Sequence, residues 1–135
     1  MKANELMVGN YITFKDCQND KEPNIIRIWQ INEEDEALVS IDGDESLDEI
    51  TINEDIVGIP LTDEILDKNF ERKEYGWQVK DCWKIWANPN FGYILATLVM
   101  DEFGGGSYEP CIPCTYFHEL QNAMTVLRAG KEIKP

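Results

Sequence analysis

The chain has 135 residues, and its 26 acidic and 12 basic side chains give it a formal charge of −14. A chain of this length forms one domain or two small subdomains, and its 43% hydrophobic and 28% charged residues exclude a disordered protein. The longest apolar stretch, Tyr93 to Met100, is too short to cross a bilayer, and the first residues lack the apolar segment of a signal peptide. We therefore expect a cytoplasmic protein.

The acidic charge is concentrated in the first half of the chain. Residues 1–60 hold 15 acidic and 4 basic side chains, whereas residues 61–135 hold 11 and 8. Such a field repels nucleic acid and anionic membranes, so we expect direct binding of neither. It favours a basic protein surface as partner, or a protein whose nucleic-acid site the acidic surface imitates. A solvated surface that only keeps the protein soluble is the simpler explanation.

Short strands separated by turn signals dominate residues 1–60. Alternating and β-branched residues predict strands over 7–14, 25–31, 37–41, 49–52 and 56–59. Gly9-Asn10 predicts a bend in the first strand, and Asp42-Gly43 predicts a tight turn. In the second strand, Ile26, Ile28 and Gln30 are expected on one face and Ile25, Arg27, Trp29 and Ile31 on the other. This pattern indicates a small, bent antiparallel sheet of the SH3-like barrel type.

Helices and longer strands are expected after Pro60. Thr62 predicts a helix N-cap, with Leu61 and Leu66 spaced as a hydrophobic staple and Asn69 ending the helix in the left-handed conformation. Strands are predicted over 75–87 and 93–100, a flexible loop over 104–107, and an amphipathic helix over 116–129. Its predicted apolar face is Phe117, Leu120, Met124 and Leu127, with Thr115 as cap and Gly130 after its end.

The predicted fold class is therefore α+β. An acidic all-β subdomain over 1–60 precedes an α+β subdomain over 61–135, the two packed as one compact unit. The second subdomain comprises a helix, an antiparallel hairpin and a C-terminal amphipathic helix.

Three segments resemble a family of small uncharacterised proteins from prophages and mobile elements of gut Bacteroidetes. Residues 2–11 (KANELMVGNY) resemble the family's opening KANELRIGNYV, residues 59–66 (IPLTDEIL) its IPLTEEILL, and residues 116–122 (YFHELQN) its KYVHELQNLYFALTG. The resemblance implies an accessory protein of a phage or mobile element in a bacterial cytoplasm. It implies no reaction.

The cysteines and the single histidine offer the one arrangement typical of a metal or thiol site. Cys111 and Cys114 are three positions apart, and His118 follows one helical turn later. With Cys82 or Cys17 these residues could supply the four ligands that zinc requires. Buried cysteines that act as small hydrophobic residues are the competing interpretation, which we favour. No cofactor is therefore predicted, and zinc is the alternative.

Candidate contacts with a ligand or partner come from the last helix and the aromatic hairpin. His118, Gln121 and Asn122 could form a small polar pocket, and Trp86 is expected on the opposite face of its strand from Trp77 and Trp83. An exposed tryptophan is a frequent feature of interfaces. The acidic run from Asp42 to Glu49 fails the spacing of a calcium loop, because Leu47 stands where that loop needs glycine.

These observations favour a non-enzymatic protein-binding module that uses its acidic surface, with nucleic-acid mimicry as a special case. The alternative is a zinc- or thiol-dependent protein centred on Cys111, Cys114 and His118. No catalytic residue is assigned.

Overall fold

The structure, a computed structural model, describes residues 1–80, 82–90, 92–127 and 132–135. It confirms the α+β class, with two helices and two antiparallel sheets among the described residues. The chain divides into two compact units. The first comprises residues 1–60, 116–118 and 135, and the second comprises residues 61–115 and 119–134.

The first unit is built on a five-stranded antiparallel sheet. Its strands are β1 (Tyr11–Phe14), β2 (Ile26–Ile31), β3 (Glu36–Ile41), β4 (Asp48–Thr51) and β5 (Ile56–Gly58). Short 3-10 helices lie at Ala3–Glu5 and Lys15–Cys17. The strand order is β4-β3-β2-β1-β5, so the described sheet is open, with β4 and β5 at its two edges. The closed SH3-like barrel expected from the sequence is not confirmed.

The core of the first unit lies on one face of this sheet. Its fully buried centre contains Ile12, Ile26, Ile28 and Val39, and burying each such side chain contributes about 1.5–3 kcal/mol. The predicted bend at Gly9-Asn10 is present, since Gly9 has a φ of +93° and the buried Asn10 side chain accepts a hydrogen bond from the Met7 amide at 2.8 Å. The predicted Asp42-Gly43 turn is also present, with both residues at positive φ, as a tight hairpin turn requires.

Residues 116–118 complete the first unit beside β5. The Phe117 amide donates to the Ile59 carbonyl at 2.8 Å, and Tyr116 forms an isolated antiparallel bridge with Pro60. The buried Phe117 ring meets Tyr11 edge to face, with centroids 6.0 Å apart. This short segment therefore packs against the sheet formed by residues far earlier in the chain.

The second unit holds a second five-stranded antiparallel sheet, one helix and the greater part of another. The strands are β6 (Glu71–Lys73), β7 (Gly76–Lys80), β8 (Trp83–Asn88), β9 (Gly92–Met100) and β10 (Gly106–Cys114), paired in chain order. The single strand expected over 75–87 is thus two strands, and part of the loop expected over 104–107 is the start of β10. Helix α1 spans Asp63–Asn69 and α2 spans Phe117–Val126, while the expected Gly130 cap lies outside the described residues.

Polar contacts at both ends hold α1 in place. The Thr62 hydroxyl accepts from the Ile65 amide at 3.3 Å, which confirms the predicted N-cap, and Leu61 and Leu66 are both buried. Asn69 ends the helix by its side chain rather than by a left-handed backbone, because its amide pairs with the backbone N–H and C=O of Lys134.

The exposed side of α1 is joined to the second sheet by two carboxylates. Asp67 accepts from the Trp77 indole N–H at 2.9 Å, and Asp63 accepts from the Tyr93 hydroxyl at 2.6 Å. Desolvation, and then the bond to Asp63, raise the pKa of the Tyr93 hydroxyl well above its usual value of 10.0. Arg72 also contacts both carboxylates, at 3.3 Å (Asp63) and 3.2 Å (Asp67).

Candidate functional site

Trp29 lies on the surface of the first unit, at a β-bulge in β2. Ile28 pairs with Val39 and Gln30 pairs with Leu38, so Trp29 is the extra residue between two consecutive pairs. A bulge shifts the alternation of the residues that follow it. Ile31 therefore returns to pack against the core and Gln30 is exposed, the reverse of the faces predicted for these two residues. Trp29 itself is left 46% exposed.

The exposed indole is held in one orientation. Its N–H donates to the Ser40 hydroxyl at 3.0 Å, and Ser40 is buried. The Arg27 guanidinium carbon lies 4.4 Å from the centre of the Trp29 ring and 5.4 Å from that of Tyr11, within the range of cation–π attraction. An aromatic side chain fixed in this way loses little conformational entropy when a partner covers it.

These residues form one wall of a groove on the outer face of the first sheet, which we call the Trp29 groove. Its volume is about 310 Å³. The groove is lined by Tyr11, Ile25, Arg27, Trp29, Ser40, Gly43, Asp44, Glu45 and Leu47. Leu47 is 51% exposed and faces the same space, so the groove combines two apolar surfaces with an acidic edge.

The acidic edge is a structured loop. Asp42 accepts from the Ile25 amide at 2.8 Å and from the Asn24 side chain at 2.6 Å, which ties the loop between β3 and β4 to the start of β2. Asp44 accepts from the Ser46 amide at 3.0 Å. The loop thus presents Asp44 and Glu45 at a defined edge of the groove, where they would attract a cationic group.

A second acidic feature lies on the edge strand β4. Glu49 pairs with Leu38 and Glu36 pairs with Thr51, which places the two glutamates diagonally on neighbouring strands. The hydrogen bond to Glu36, and then the like charge of Glu36, raise the pKa of the Glu49 carboxyl above its ordinary value of 4.5. Carboxylates held this close resist ionising together, so the charge of this edge depends on pH.

Trp86, the hairpin tryptophan expected at an interface, is half-buried on β8. It pairs with Ile94 and lies on the opposite face of the sheet from the buried Trp77. On the same face as Trp86, the Lys84 ammonium lies 3.8 Å from the ring centre of Tyr75 and 3.7 Å from that of Tyr108. The cation–π contacts of Lys84 therefore cover part of this face, and the Trp86 side chain is less exposed to solvent than that of Trp29.

His118, Gln121 and Asn122 share one side of α2 by their spacing. His118 is buried in the first unit and stacks on Tyr116 with ring centroids 6.0 Å apart. Gln121 and Asn122 are half-buried and belong to the second unit.

The structure separates two of the expected metal ligands. Cys82 is exposed, and its carbonyl accepts from the Leu98 amide, whereas Cys114 is buried and pairs with Tyr93. Leu98 and Tyr93 are five residues apart on β9, which corresponds to about 17 Å at the rise of an antiparallel strand. Two zinc ligands must both lie about 2.3 Å from the ion, so Cys82 and Cys114 cannot share one.

Cys114 also has the character of a core thiol. Burial raises its pKa to about 12, with a smaller effect from the Glu119 carboxylate. The Cys111 side chain lies outside the part that the structure describes. Within that part, no group of three or more histidine, cysteine or acidic side chains is arranged to hold a metal ion.

Among the residues that the structure describes, no helix has the length and apolar character needed to span a membrane. Comparison with protein-family models, curated proteins and solved structures found no match for this chain.

The Trp29 groove was not singled out from the sequence, although a signal for it was present. Alternation already placed Trp29 and Arg27 on the face opposite the core residues Ile26 and Ile28. What the alternation could not show is the contribution of the loop containing Asp44 and Leu47, because the contact joins segments that are distant in the chain.

Proposed function

We propose that this protein is a non-enzymatic binding module, an accessory protein of a phage or mobile element, that holds a basic protein surface of the host or phage through the first unit. The observation that carries the proposal is Trp29, an indole left nearly half exposed and held by Ser40 and Arg27 at the edge of an acidic groove. Tryptophan is the residue type most enriched among side chains that dominate binding energy. Neither a resident cofactor nor membrane or nucleic-acid binding enters the proposal.

Charge and apolar surface have separate roles in this mechanism. Fourteen of the 15 acidic side chains in residues 1–60 are exposed, and Glu36 is half-buried. Their field would accelerate encounter with a basic partner and select against acidic ones. Trp29 and Leu47 would then supply the apolar contact that slows dissociation, since rim charges act mainly on the association rate. Asp44 and Glu45 would face cationic side chains of the partner.

A photo-cross-linking experiment tests this proposal directly. Leu47 is replaced by p-benzoylphenylalanine, the protein is expressed in a bacterial host, and adducts are identified after irradiation. The same replacement at Val8, an exposed residue of the first unit that does not line the groove, is the control. We expect a basic protein to be captured at Leu47 and not at Val8.

Binding of the purified captured protein then decides the outcome. Trp29→Ala should weaken binding about 30-fold or more, the effect of losing a dominant interface side chain. The double variant Asp44→Asn/Glu45→Gln should reduce the dependence of the association rate on salt. Capture of an acidic protein, or binding that is indifferent to both Trp29→Ala and salt, would refute the proposal.

The same experiment tests nucleic-acid mimicry as its special case. If the captured protein binds nucleic acid, duplex DNA should compete with this chain for it, and both interactions should weaken as salt rises. Absence of competition would rule out nucleic-acid mimicry and would leave the proposal of a protein-binding module unchanged.

A further inference from the structure

The hairpin of β9 and β10 ends in an apolar tip that the second unit does not bury. Phe103 is 89% exposed, Met100 is 58% exposed and Val99 is 46% exposed. Among the exposed large hydrophobic side chains that the structure describes, Phe103 is the most exposed. Burial of a phenylalanine ring normally stabilises the folded state, and the exposed ring of Phe103 does not contribute in this way.

The turn that carries Phe103 is held in a single shape. Asp101 closes the hairpin, since its amide donates to the Gly105 carbonyl at 2.7 Å and its carbonyl accepts from the Gly104 amide at 3.2 Å. The Asp101 carboxylate accepts from the Phe103 amide at 2.9 Å and from the Gly105 amide at 2.8 Å. Gly104 adopts a φ of +83°, which a residue with a side chain rarely takes. Phe103 is therefore displayed by an ordered turn, which lowers the entropic cost of docking it.

The charge around the tip limits what can cover it. Asp101 and Glu102 adjoin Phe103, and Glu109 lies on β10. No lysine or arginine occurs between Lys84 and Arg128 in the sequence. An anionic bilayer would be repelled by these carboxylates, and so would the acidic surface of a second copy. An apolar pocket bordered by basic groups complements both the apolar tip and its carboxylates.

We infer that this tip, formed by Met100 and Phe103, is a second docking element, which inserts Phe103 into an apolar pocket bordered by basic side chains on another protein. Phe103 is the anchor, and Glu102 pairs with the cationic border. This element belongs to the second unit and does not depend on the role proposed for the Trp29 groove.

The test places p-benzoylphenylalanine at Phe103, with the same replacement at Val126 as the matched control. Val126 is an exposed hydrophobic residue of the second unit at the end of α2, outside the hairpin. After irradiation in expressing cells, we expect an adduct with another protein from position 103 alone. The captured protein is then purified and its affinity for the unsubstituted chain is measured.

Three variants decide whether the adduct reports the proposed contact. Phe103→Ser should weaken binding about 30-fold or more, while Val126→Ser should leave it unchanged. Glu102→Gln should flatten the salt dependence of the affinity. Because Phe103 is almost fully exposed, Phe103→Ser is expected to keep the unfolding midpoint of the unsubstituted protein, which separates lost docking from lost folding.

Other outcomes would overturn the inference. A cross-link between two copies of this chain would make the tip a self-association surface. Co-sedimentation of the protein with vesicles containing phosphatidylglycerol, lost in Phe103→Ser, would make it a membrane contact. Affinity unaffected by Phe103→Ser would show that the tip is not the anchor.

Discussion

Trp29 occupies the extra position of the bulge in β2, and that single inserted residue changes the faces of the residues that follow it. The Trp29 indole lies on the outer face, where Ser40 accepts its N–H, and Ile31 returns to the core two positions later. Without the bulge, the alternation of β2 would expose Ile31 and bury Gln30. The end of the core therefore depends on this backbone irregularity.

The Glu36–Glu49 pair gives the protein a defined response to acid. The pKa of Glu49 is raised above 4.5 in the folded state, so the folded protein binds this proton more tightly than the unfolded chain does. The pair therefore favours folding below pH 4.5, and that contribution is lost as the pH rises through the raised pKa. Above that pH range, the Glu49 carboxylate is repelled by the like charge of Glu36.

We expect Glu49→Gln to raise the midpoint of thermal unfolding at pH 7, with a gain that shrinks as the pH approaches 4.5. The glutamine keeps a hydrogen-bonding group beside Glu36 and removes the repulsion. The matched control is Glu54→Gln, which removes one charge from an exposed position elsewhere in the first unit. Equal gains at pH 7 in both variants would show that net charge, and not this pair, is responsible.

The cysteines are expected to differ sharply in reactivity. The thiolate is the reactive form, and burial raises the pKa of Cys114 to about 12, whereas Cys82 is exposed. At pH 7.5 iodoacetamide should therefore modify Cys82 at least about tenfold faster than Cys114 in the folded protein. Peptide mass mapping over time measures both rates, and urea should abolish the difference. Fast modification of folded Cys114 would instead favour the thiol-dependent alternative.

At the scale of elements, the close approach of residues 116–118 to β5 depends on Gly58. A Cβ atom on Gly58 would lie 2.6 Å from Cγ and 2.7 Å from Cβ of Tyr116, closer than such atoms approach. Because these Tyr116 atoms lie next to the backbone, the side chain cannot rotate out of the way.

Gly58→Ala should therefore destabilise the first unit by about 1–3 kcal/mol, the usual cost of overpacking. Urea unfolding followed by tryptophan fluorescence measures this. Gly106→Ala is the control, because its Cβ would meet mainly the flexible ends of the Met100 and Leu98 side chains, and its effect should stay within about 0.5 kcal/mol. A tolerated Gly58→Ala would mean that residues 116–118 are not packed against β5 as described.

The elements that the sequence predicts well carry local signals. Strands β2 to β5 follow alternating or β-branched runs separated by Asp-Gly and acidic turns, and Thr62 marks the start of α1. The sequence between β7 and β8 lacks such a signal, since Lys80-Asp81-Cys82 contains neither glycine nor proline, and it therefore predicts a single strand where there are two.

Strand β10 has the opposite property, because its sequence carries loop signals although it forms a strand. Its sequence begins beside three consecutive glycines and contains Pro110 and Pro113, all typical of loops. An edge strand tolerates proline because one side of its backbone has no partner in the sheet, and β10 is at the edge beside β9. Its identity as a strand thus comes from its tertiary pairing with β9 and could not be inferred locally.

At the scale of the whole molecule, the sequence predicts the sign of the surface charge better than the position of the binding site. The excess of acids in residues 1–60 is visible without a structure and already argues against nucleic acid and anionic membranes as partners. The Trp29 groove could not be predicted as a unit, because β1, β2 and the loop after β3 must first assemble to form it.

The two prolines of β10 also bear on how this protein behaves when it is crowded. A nine-residue edge strand that begins beside the exposed Met100 and Phe103 is the kind of surface on which identical chains stack into fibrils. Pro110 and Pro113 have no amide hydrogen to offer an incoming strand, so a growing ladder would be interrupted at both positions. The two prolines therefore protect this edge from pairing with a second copy of the chain, even though the hairpin tip beside it is apolar.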